Sequence, residues 1–265
     1  MKAAPYPLAR ARGAAGVLRG AGTRAAGLRL NEEKAMTDGV AFAGFPKGCV
    51  KFFRELAAHN EKAWFEDHKA EYENVVKAPA AQFVVALGDR LRKVAPGVHA
   101  EPVVNKSIFR LNRDVRFSAD KSPYKTHLGI WLWDGDGPRM ECSGFYFQLE
   151  PPRIMVITGI YMFTKPALEK YRRAVVDAKR GPALARAAAA VEKAGYELGG
   201  VYYKKIPAGY DAKNANARFL LYNGLCASDE SPIPKELYTP AFVDYCVARY
   251  RGMAPLHKWL KDILG

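Results

Sequence analysis

The sequence between residues 124 and 161 reads YKTHLGIWLWDGDGPRMECSGFYFQLEPPRIMVITGIY, and this stretch decides the fold. Apolar and polar side chains alternate with a period of two in three runs, at about 124–133, 143–150 and 153–161. Such alternation is typical of β-strands with one buried face. Turn-forming residues separate the runs, at Asp134-Gly-Asp-Gly-Pro138 and at Glu150-Pro-Pro-Arg153. The three runs therefore predict an antiparallel meander.

Helical patterns flank the meander on both sides. Apolar residues recur there at intervals of three and four, which predicts amphipathic helices at about 49–60, 64–76, 79–96, 166–179, 182–194 and 239–264. Pro255 is expected to kink or split the last helix. Two further strands are predicted, at about 103–111 and 201–206. This order of elements predicts an α+β domain, with an antiparallel sheet of four or five strands and helices packed mainly on one face.

Length and composition favour one globular domain. The chain has 265 residues, of which 49% are hydrophobic, and this excludes an intrinsically disordered or collagen-like chain. Residues 1–39 are rich in Ala, Gly and Arg and have no sustained apolar face, whereas residues 40–265 carry the α+β patterns. The first segment is predicted to be a disordered extension, or to precede a true start at Met36; a transit peptide is the alternative.

The sequence also predicts the compartment and excludes several kinds of site. The four cysteines are scattered, without the spacing of a zinc site, and are interpreted as free thiols of a cytoplasmic protein. No run of 18 apolar residues is present, so no membrane partner is expected. Glycine-rich nucleotide loops and nucleophile elbows are absent from the sequence, and neither a metal nor a cofactor is predicted.

A dense stretch of charged residues, NKSIFRLNRDVRFSADKSPYKTH, occupies positions 105–127. Strand alternation would place four apolar side chains on one face, namely Phe109, Leu111, Val115 and Phe117. The opposite face would collect the polar side chains Arg110, Asn112, Asp114, Arg116, Lys125 and His127, joined by Tyr146, Gln148 and Glu150 from the next strand. Arg113 breaks this pattern, so it either meets a buried carboxylate or lies in a turn.

The charges in this stretch predict an anion site. Between positions 110 and 127, Arg110, Arg113, Arg116, Lys121 and Lys125 outnumber the carboxylates of Asp114 and Asp120. Guanidinium groups bind phosphate or carboxylate with two parallel hydrogen bonds. The candidate ligand-binding residues are Arg110, Asn112, Arg113, Arg116, Lys121, Lys125 and Tyr146. His127 would transfer a proton and Asp114 would orient it or act as a base.

Three functions remain open at this point. The first is an enzyme or binding protein for an anionic or phosphorylated small molecule. The second is a nucleic-acid-binding protein, suggested by the formal net charge of +14, in which Trp131, Trp133 and Tyr146 stack against bases. The third is a protein-interaction module whose polar network is purely structural. The residue types leave open whether a reaction is catalysed and how many copies assemble.

Three motifs resemble one widespread family. They are Phe42-x-Gly44-Phe45-Pro46, then Asn60-x-x-x-Trp64-Phe65-x-x-His68-Lys69, then Phe109-Arg110-x-Asn112-Arg113-Asp114-x-Arg116-Phe117-Ser118-x-Asp120-Lys121-Ser122-Pro123-Tyr124-Lys125-Thr126-His127. Together they resemble the conserved-hypothetical family catalogued as domain of unknown function 2461, from about Phe42 to Leu264. The resemblance implies that residues 1–35 lie outside the family domain. It implies no reaction, cofactor or ligand, so it makes none of the motif residues catalytic.

Overall fold

The computed structural model describes residues 41–265, and an antiparallel sheet forms the centre of this part of the chain. Its strands are β1 (Val98–His99), β2 (Leu128–Asp134), β3 (Gly144–Glu150), β4 (Arg153–Ile160), β5 (Glu197–Val201) and β6 (Tyr222–Pro232). Their order across the sheet is β1-β2-β3-β4-β6-β5, and every neighbouring pair is antiparallel. The α+β class is confirmed, but the sheet has six strands and not four or five. The predicted extension, residues 1–39, lies outside the described residues.

The α-helices of residues 41–265 are α1 (Lys47–Ala58), α2 (Lys62–Asp67), α3 (Lys69–Tyr72), α4 (Ala78–Leu91), α5 (Lys165–Val176), α6 (Arg180–Lys193) and α7 (Phe242–Leu264). A π-helical turn, Glu73–Lys77, joins α3 to α4, and two short 3-10 helices lie at Ala217–Leu221 and Lys235–Tyr238. None of the helices in this part of the chain is long and apolar enough to cross a lipid bilayer.

The inner face of the sheet carries the main hydrophobic core. Alternate residues of the meander point to this face, as predicted: Leu128, Ile130, Leu132, Phe145, Phe147, Leu149, Ile154 and Val156 are all at most 3% exposed. Helices α1, α4 and α7 supply the opposing side chains of the same cluster. The rings of Phe83 and Phe147 meet edge to face, with centroids 5.3 Å apart, and so fix α4 against β3.

The opposite face, here called the outer face, is covered differently. Its side chains are Trp131, Trp133, Tyr146, Gln148, Met155, Ile157 and Cys226. No helix residue joins the two small apolar clusters of this face within the described part of the chain. Irregular backbone carrying Phe109 and Cys142 packs on its Trp131 side instead. The helices therefore pack mainly on one face, as the sequence predicted.

Several predicted elements were wrong. Residues 103–111 form isolated bridges and no strand, and the strand predicted at about 124–133 begins only at Leu128. The strand predicted at about 201–206 lies earlier, at Glu197–Val201. It was not recognised there because its two glycines interrupt the alternation of apolar and polar side chains. Strands β1 and β6 were missed, because two residues show no alternation and because β6 ends in the polar run Ser-Asp-Glu-Ser. Helix α7 continues through Pro255 without being split, and residues before and after it are buried.

A buried polar network fastens α7 to the inner face. The Ser143 hydroxyl lies 2.8 Å from Nδ1 of His257, and Nε2 of His257 lies 3.1 Å from the carboxylate of Asp134. Burial lowers the pKa of His257, although the Asp134 carboxylate acts in the opposite direction. A neutral imidazole that accepts from Ser143 and donates to Asp134 satisfies both contacts. Lys261, also on α7, donates to the second oxygen of Asp134.

The Ser–His–Asp order of this network invites comparison with a hydrolase triad, but its surroundings indicate a structural role. Ser143, His257 and Asp134 are each at most 4% exposed, and Lys261 already neutralises the carboxylate. A catalytic aspartate of this kind must stabilise an imidazolium ion, and a carboxylate bound to an ammonium does so poorly. The network therefore supplies partners for buried polar groups where α7 meets β2.

We expect Asp134→Ala to lower the free energy of unfolding by about 3–5 kcal/mol, because His257 and Lys261 would lose their shared partner. Urea unfolding measures this loss. Asp262→Ala is the matched control, since Asp262 lies in the same helix as Lys261 and its side chain is 71% exposed beside Arg180. The control should change the free energy by at most about 0.5 kcal/mol. Equal losses in the two variants would contradict the structural role.

Candidate functional site

The candidate site lies where the chain before β2 crosses the outer face. The amide of Phe109 donates to Gly129 O, and the amide of Trp131 donates to Ser107 O, so a short piece of chain pairs with β2. The Phe109 ring then meets Tyr146 across Gly129, with centroids 6.1 Å apart. A Cβ at Gly129 would lie 3.0 Å from the Tyr146 hydroxyl oxygen and 3.3 Å from the Phe109 ring. The absent side chain of Gly129 therefore makes room for both rings.

After Phe109 the chain makes a closed excursion, defined here as residues 113–123. Its base is closed by two backbone hydrogen bonds, from Arg113 N to Pro123 O and from Lys125 N to Leu111 O, each 2.8 Å long. Between these bonds Asn112 and Tyr124 face each other as an isolated antiparallel pair. In such a pair the backbone N–H and C=O of Tyr124 point away from Asn112 and need another partner.

Asn60 supplies that partner from the loop after α1. Its side-chain amide donates to Tyr124 O at 2.9 Å, and its side-chain oxygen accepts from Tyr124 N at 3.0 Å. The Phe65 ring lies over the Tyr124 ring, with centroids 4.4 Å apart. Trp64 stacks on His68 in the same segment, with centroids 3.9 Å apart. The motif from Asn60 to His68 thus holds the base of the excursion.

Most of the charge inside the excursion is paired locally. Arg116 binds Asp114 with two hydrogen bonds of 2.9 Å and 2.7 Å, and Arg113 pairs with Asp120. The hydrogen bonds from Arg116 lower the pKa of Asp114 to about 2. Hydrogen bonds from Ser122 and then Arg113 lower the pKa of Asp120 to about 2. Lys121 donates to Val115 O, so it also serves the loop.

The predicted alternation fails within this excursion. Phe117, expected on an apolar face, is 89% exposed, and Arg116 stacks on its ring 5.8 Å from the centroid. Arg113 was the predicted exception, and it lies in irregular backbone where its carboxylate partner Asp120 is exposed. Neither alternative for Arg113 is therefore correct: its carboxylate partner is exposed, and residues 112–114 form no turn. Asn112 is exposed beside Arg113.

Two cations, Lys125 and Arg139, lie over the Phe109 ring, and the charge of Arg110 acts on Lys125; we call Arg110, Lys125 and Arg139 the Lys125 cluster. The Lys125 ammonium lies 5.4 Å from the ring centroid and donates to Arg110 O at 2.9 Å. The Arg139 guanidinium lies 5.2 Å from the same centroid and donates to Lys106 O. Burial, followed by the charges of Arg110 and Arg139, lowers the pKa of Lys125. The three groups are therefore close enough to repel one another.

The Lys125 cluster has little compensating negative charge. Within residues 41–265, no carboxylate lies within ion-pair distance of Arg110, Lys125 or Arg139. Two carboxylates interact with the cluster without direct contact. The charge of Arg110 contributes to lowering the pKa of Asp114, and the charge of Glu101 raises the pKa of Arg139 against the larger effect of burial. Arg139 was not predicted, because it follows a glycine-rich turn whose direction the sequence does not reveal. It reaches the outer face because Trp131 Nε1 binds Arg139 O at 2.9 Å.

His127 and Asp114, the predicted proton-transfer pair, are not hydrogen-bonded to each other. Asp114 is occupied by Arg116 in the excursion, whereas His127 lies half-buried at the start of β2. Burial, and then the charge of Lys125, lowers the pKa of His127 from 6.5 to about 4. The imidazole is therefore neutral at physiological pH.

A polar chain runs along β3 on the outer face. The Tyr146 hydroxyl donates to the side-chain oxygen of Gln148 at 2.7 Å, and the Gln148 amide donates to Glu150 at 2.6 Å. Burial raises the pKa of Tyr146, so its hydroxyl remains protonated. These hydrogen bonds join Tyr146, Gln148 and Glu150, which the sequence predicted to share one face. The Tyr146 ring also lies beside Phe109.

Two of the three predicted stacking residues, Trp131 and Trp133, are covered. Trp131 is 8% exposed and Trp133 is 7% exposed. Trp133 stacks on His99 of β1, with centroids 5.0 Å apart and rings 6° from parallel. Neither ring face is open to a base at this position. Among residues 41–265, no group of three or more His, Cys, Asp or Glu side chains lies close enough together to hold a metal ion.

We expect Asn60→Ala to lower the free energy of unfolding by about 1–3 kcal/mol, because both backbone groups of Tyr124 would lose their partner. Urea unfolding measures the loss. The control is Glu61→Ala, the exposed neighbour, which should change the free energy by no more than about 0.5 kcal/mol. A loss in Asn60→Ala no greater than that of the control would show that the clamp is dispensable.

His127 should make the protein less stable in acid. Its pKa falls from 6.5 to about 4 on folding, so the unfolded chain takes up a proton between these values and the folded chain does not. Stability should therefore drop by about 3 kcal/mol as the pH falls from about 6.5 to 4. Unfolding at several pH values should show a smaller drop for His127→Gln, whereas His59→Gln, an exposed control, should match the unmodified protein. Parallel curves for all three proteins would contradict this prediction.

Comparison with known proteins gives one match. Residues 48–259 match the model of a family described as "Conserved hypothetical protein (DUF2461)", and this range includes Asn60, the excursion and the Lys125 cluster. The family that the motifs resemble is therefore confirmed, with the first motif, residues 42–46, lying before the matched range. No curated protein matches the chain, and no solved structure matches it.

Proposed function

The chain belongs to the conserved hypothetical protein family DUF2461, and we propose that it binds a small multivalent anion at the Lys125 cluster. The observation that carries this proposal is the approach of two cations, Lys125 and Arg139, to one aromatic ring, with the charge of Arg110 also acting on Lys125 and no described carboxylate in contact with any of the three. Like charges brought together by folding cost free energy unless a counter-charge joins them. A bound anion would supply that charge.

The contrast with the neighbouring arginines supports this choice. Arg113 and Arg116 each have a carboxylate partner in the excursion, so an external anion would have to compete with Asp120 or Asp114. Lys125 has only a backbone carbonyl as its acceptor, and its ammonium carries two further hydrogens. Among the predicted ligand-binding residues, Arg113 and Arg116 thus serve the structure of the excursion, whereas Arg110 and Lys125 are available to bind an anion. Arg139, which was not predicted, is available in the same way.

The chemistry of the cluster favours a phosphate-bearing or polycarboxylate ligand. Guanidinium groups bind such oxygens in pairs, and a partly buried ammonium binds them more strongly than an exposed one. The neutral imidazole of His127 can offer a hydrogen bond without adding charge. We propose binding and not proton transfer, because Asp114, the predicted second catalytic group, is engaged by Arg116.

We also propose that the protein lies in the cytoplasm. Its four cysteines, at positions 49, 142, 226 and 246, are all free and buried. Burial raises the pKa of Cys49 to about 12 and that of Cys226 to about 11, so these thiols resist oxidation and metal binding. Free thiols of this kind are usual in a reducing compartment.

Calorimetric titration with inorganic phosphate, pyrophosphate and citrate tests the proposal. At least one of these anions should bind, and Lys125→Met or Arg139→Met should weaken binding about 10-fold or more, because each removes a charged hydrogen-bond donor. The matched control is Arg116→Met, which removes an equal charge from the paired arginine of the excursion and should leave binding nearly unchanged.

The same variants give a second readout. In the absence of anion, Lys125→Met should be at least as stable as the unmodified protein, because it relieves repulsion from Arg110 and Arg139. Added anion should raise the melting temperature of the unmodified protein but not that of Lys125→Met. Equal weakening by Arg116→Met and Lys125→Met, or no binding of any of the three anions, would overturn the proposed function.

A further inference from the structure

We propose that a second surface, at the β5 edge of the sheet, binds single-stranded nucleic acid. This Tyr202 surface consists of Arg172, Val201, Tyr202, Tyr203, Lys204 and Lys205. It shares no residue with the Lys125 cluster, and the inference does not depend on the proposed function. In this proposal the exposed Tyr202 stacks against bases, in place of Trp131 and Trp133, which are buried.

The Tyr202 surface exposes aromatic and apolar groups that the fold does not use. Tyr202 is 65% exposed and Val201 is 61% exposed, whereas most large apolar side chains of residues 41–265 are buried. The exposure is imposed by the backbone, because the amides of Tyr202 and Tyr203 both donate to Leu221 O at 2.9 Å. These bonds hold the chain beside β6 while it leaves the edge strand. The ring of Tyr202 is therefore presented from a fixed backbone.

A guanidinium extends the row of rings. Arg172 of α5 lies over the Tyr203 ring, 4.8 Å from its centroid, and Tyr203 meets Tyr202 edge to face at 5.0 Å. The Nε of Arg172 is buried and has no hydrogen-bond partner. An unpaired buried donor costs free energy, so its retention needs an explanation. Stacking on Tyr203 fixes the orientation of the guanidinium. The group can then bind a base or a phosphate without losing further side-chain conformational freedom.

Two lysines give the Tyr202 surface its charge. Lys204 and Lys205 are exposed, and none of the described carboxylates lies within ion-pair distance of either. The sequence from 198 to 210, LGGVYYKKIPAGY, holds no Asp or Glu. The surface is therefore complementary to a chain of negative charges.

The combination favours single-stranded nucleic acid over an acidic peptide. Binding of single strands joins phosphate-binding cations to aromatic faces on which bases stack. An acidic peptide would use Lys204 and Lys205 equally well, but it would gain little from the open Tyr202 ring. The two ligands therefore differ in how strongly their binding depends on Tyr202.

Fluorescence anisotropy tests this with a labelled thymidine oligonucleotide of about 12 nucleotides, an abasic strand of equal charge, and polyglutamate. The full chain should bind the thymidine strand more tightly than the other two. Tyr202→Ala should weaken thymidine binding by about 5- to 150-fold and leave abasic binding unchanged. Tyr202→Phe should retain binding, because the ring remains.

The lysines should act through charge alone. Lys204→Gln with Lys205→Gln should weaken binding of both nucleic-acid strands and reduce the slope of log affinity against log salt by about 1.4. The matched control is Lys62→Gln with Lys235→Gln, two exposed lysines elsewhere, which should leave the slope unchanged. Equal binding of thymidine, abasic strand and polyglutamate would overturn the proposal, as would no effect of Tyr202→Ala. Lys125→Met should bind the oligonucleotide normally, which separates this test from that of the anion site.

Discussion

The side-chain amide of Asn60 takes the place of a neighbouring strand for the backbone of Tyr124, and the arrangement of the outer face depends on this contact. Tyr124 sits at the base of the excursion, one residue before Lys125. Once its backbone is fixed, Lys125 is directed toward the Phe109 ring and His127 enters β2 half-buried. A residue more than 60 positions earlier therefore sets the direction of the charged groups. The motif from Asn60 to His68 is a structural clamp.

The excursion shows how a sequence rich in charge can conceal a small site. Its arginines and carboxylates neutralise one another within the loop, as exposed ion pairs that contribute little to stability. Arg110 and Lys125 beside the loop, and Arg139 from the turn after β2, have no carboxylate partner among the described residues. The paired and the unpaired cations are residues of the same types. They differ in how far they lie from a carboxylate and in the direction in which their side chains extend.

The sequence predicts those parts of the fold in which local pattern and tertiary environment agree. The alternation of Leu128, Ile130 and Leu132 is read correctly because these side chains meet a helical layer and their neighbours do not. The same reasoning fails for Phe117, since the chain there pairs with nothing that would give alternation a meaning. It fails for β6 because this strand lies between two other strands and still carries polar residues, which find partners in the folded chain. The carboxylate of Asp229, for example, accepts a hydrogen bond from Arg249 of α7 at 2.7 Å. Asn60 and Arg139 could not be assigned from the sequence, since each acts at a distance that only the folded chain reveals.

The two hydrogen bonds that close the base of the excursion also separate its tip from the rest of the domain. Arg113 N to Pro123 O and Lys125 N to Leu111 O fix the ends of the loop regardless of what lies between them. The entropy of closing a loop grows slowly with length, by about 0.6 kcal/mol for each doubling. Chain length in this loop can therefore change over evolution at small thermodynamic cost. The tip is a place where relatives can acquire new surface without altering the sheet beneath it.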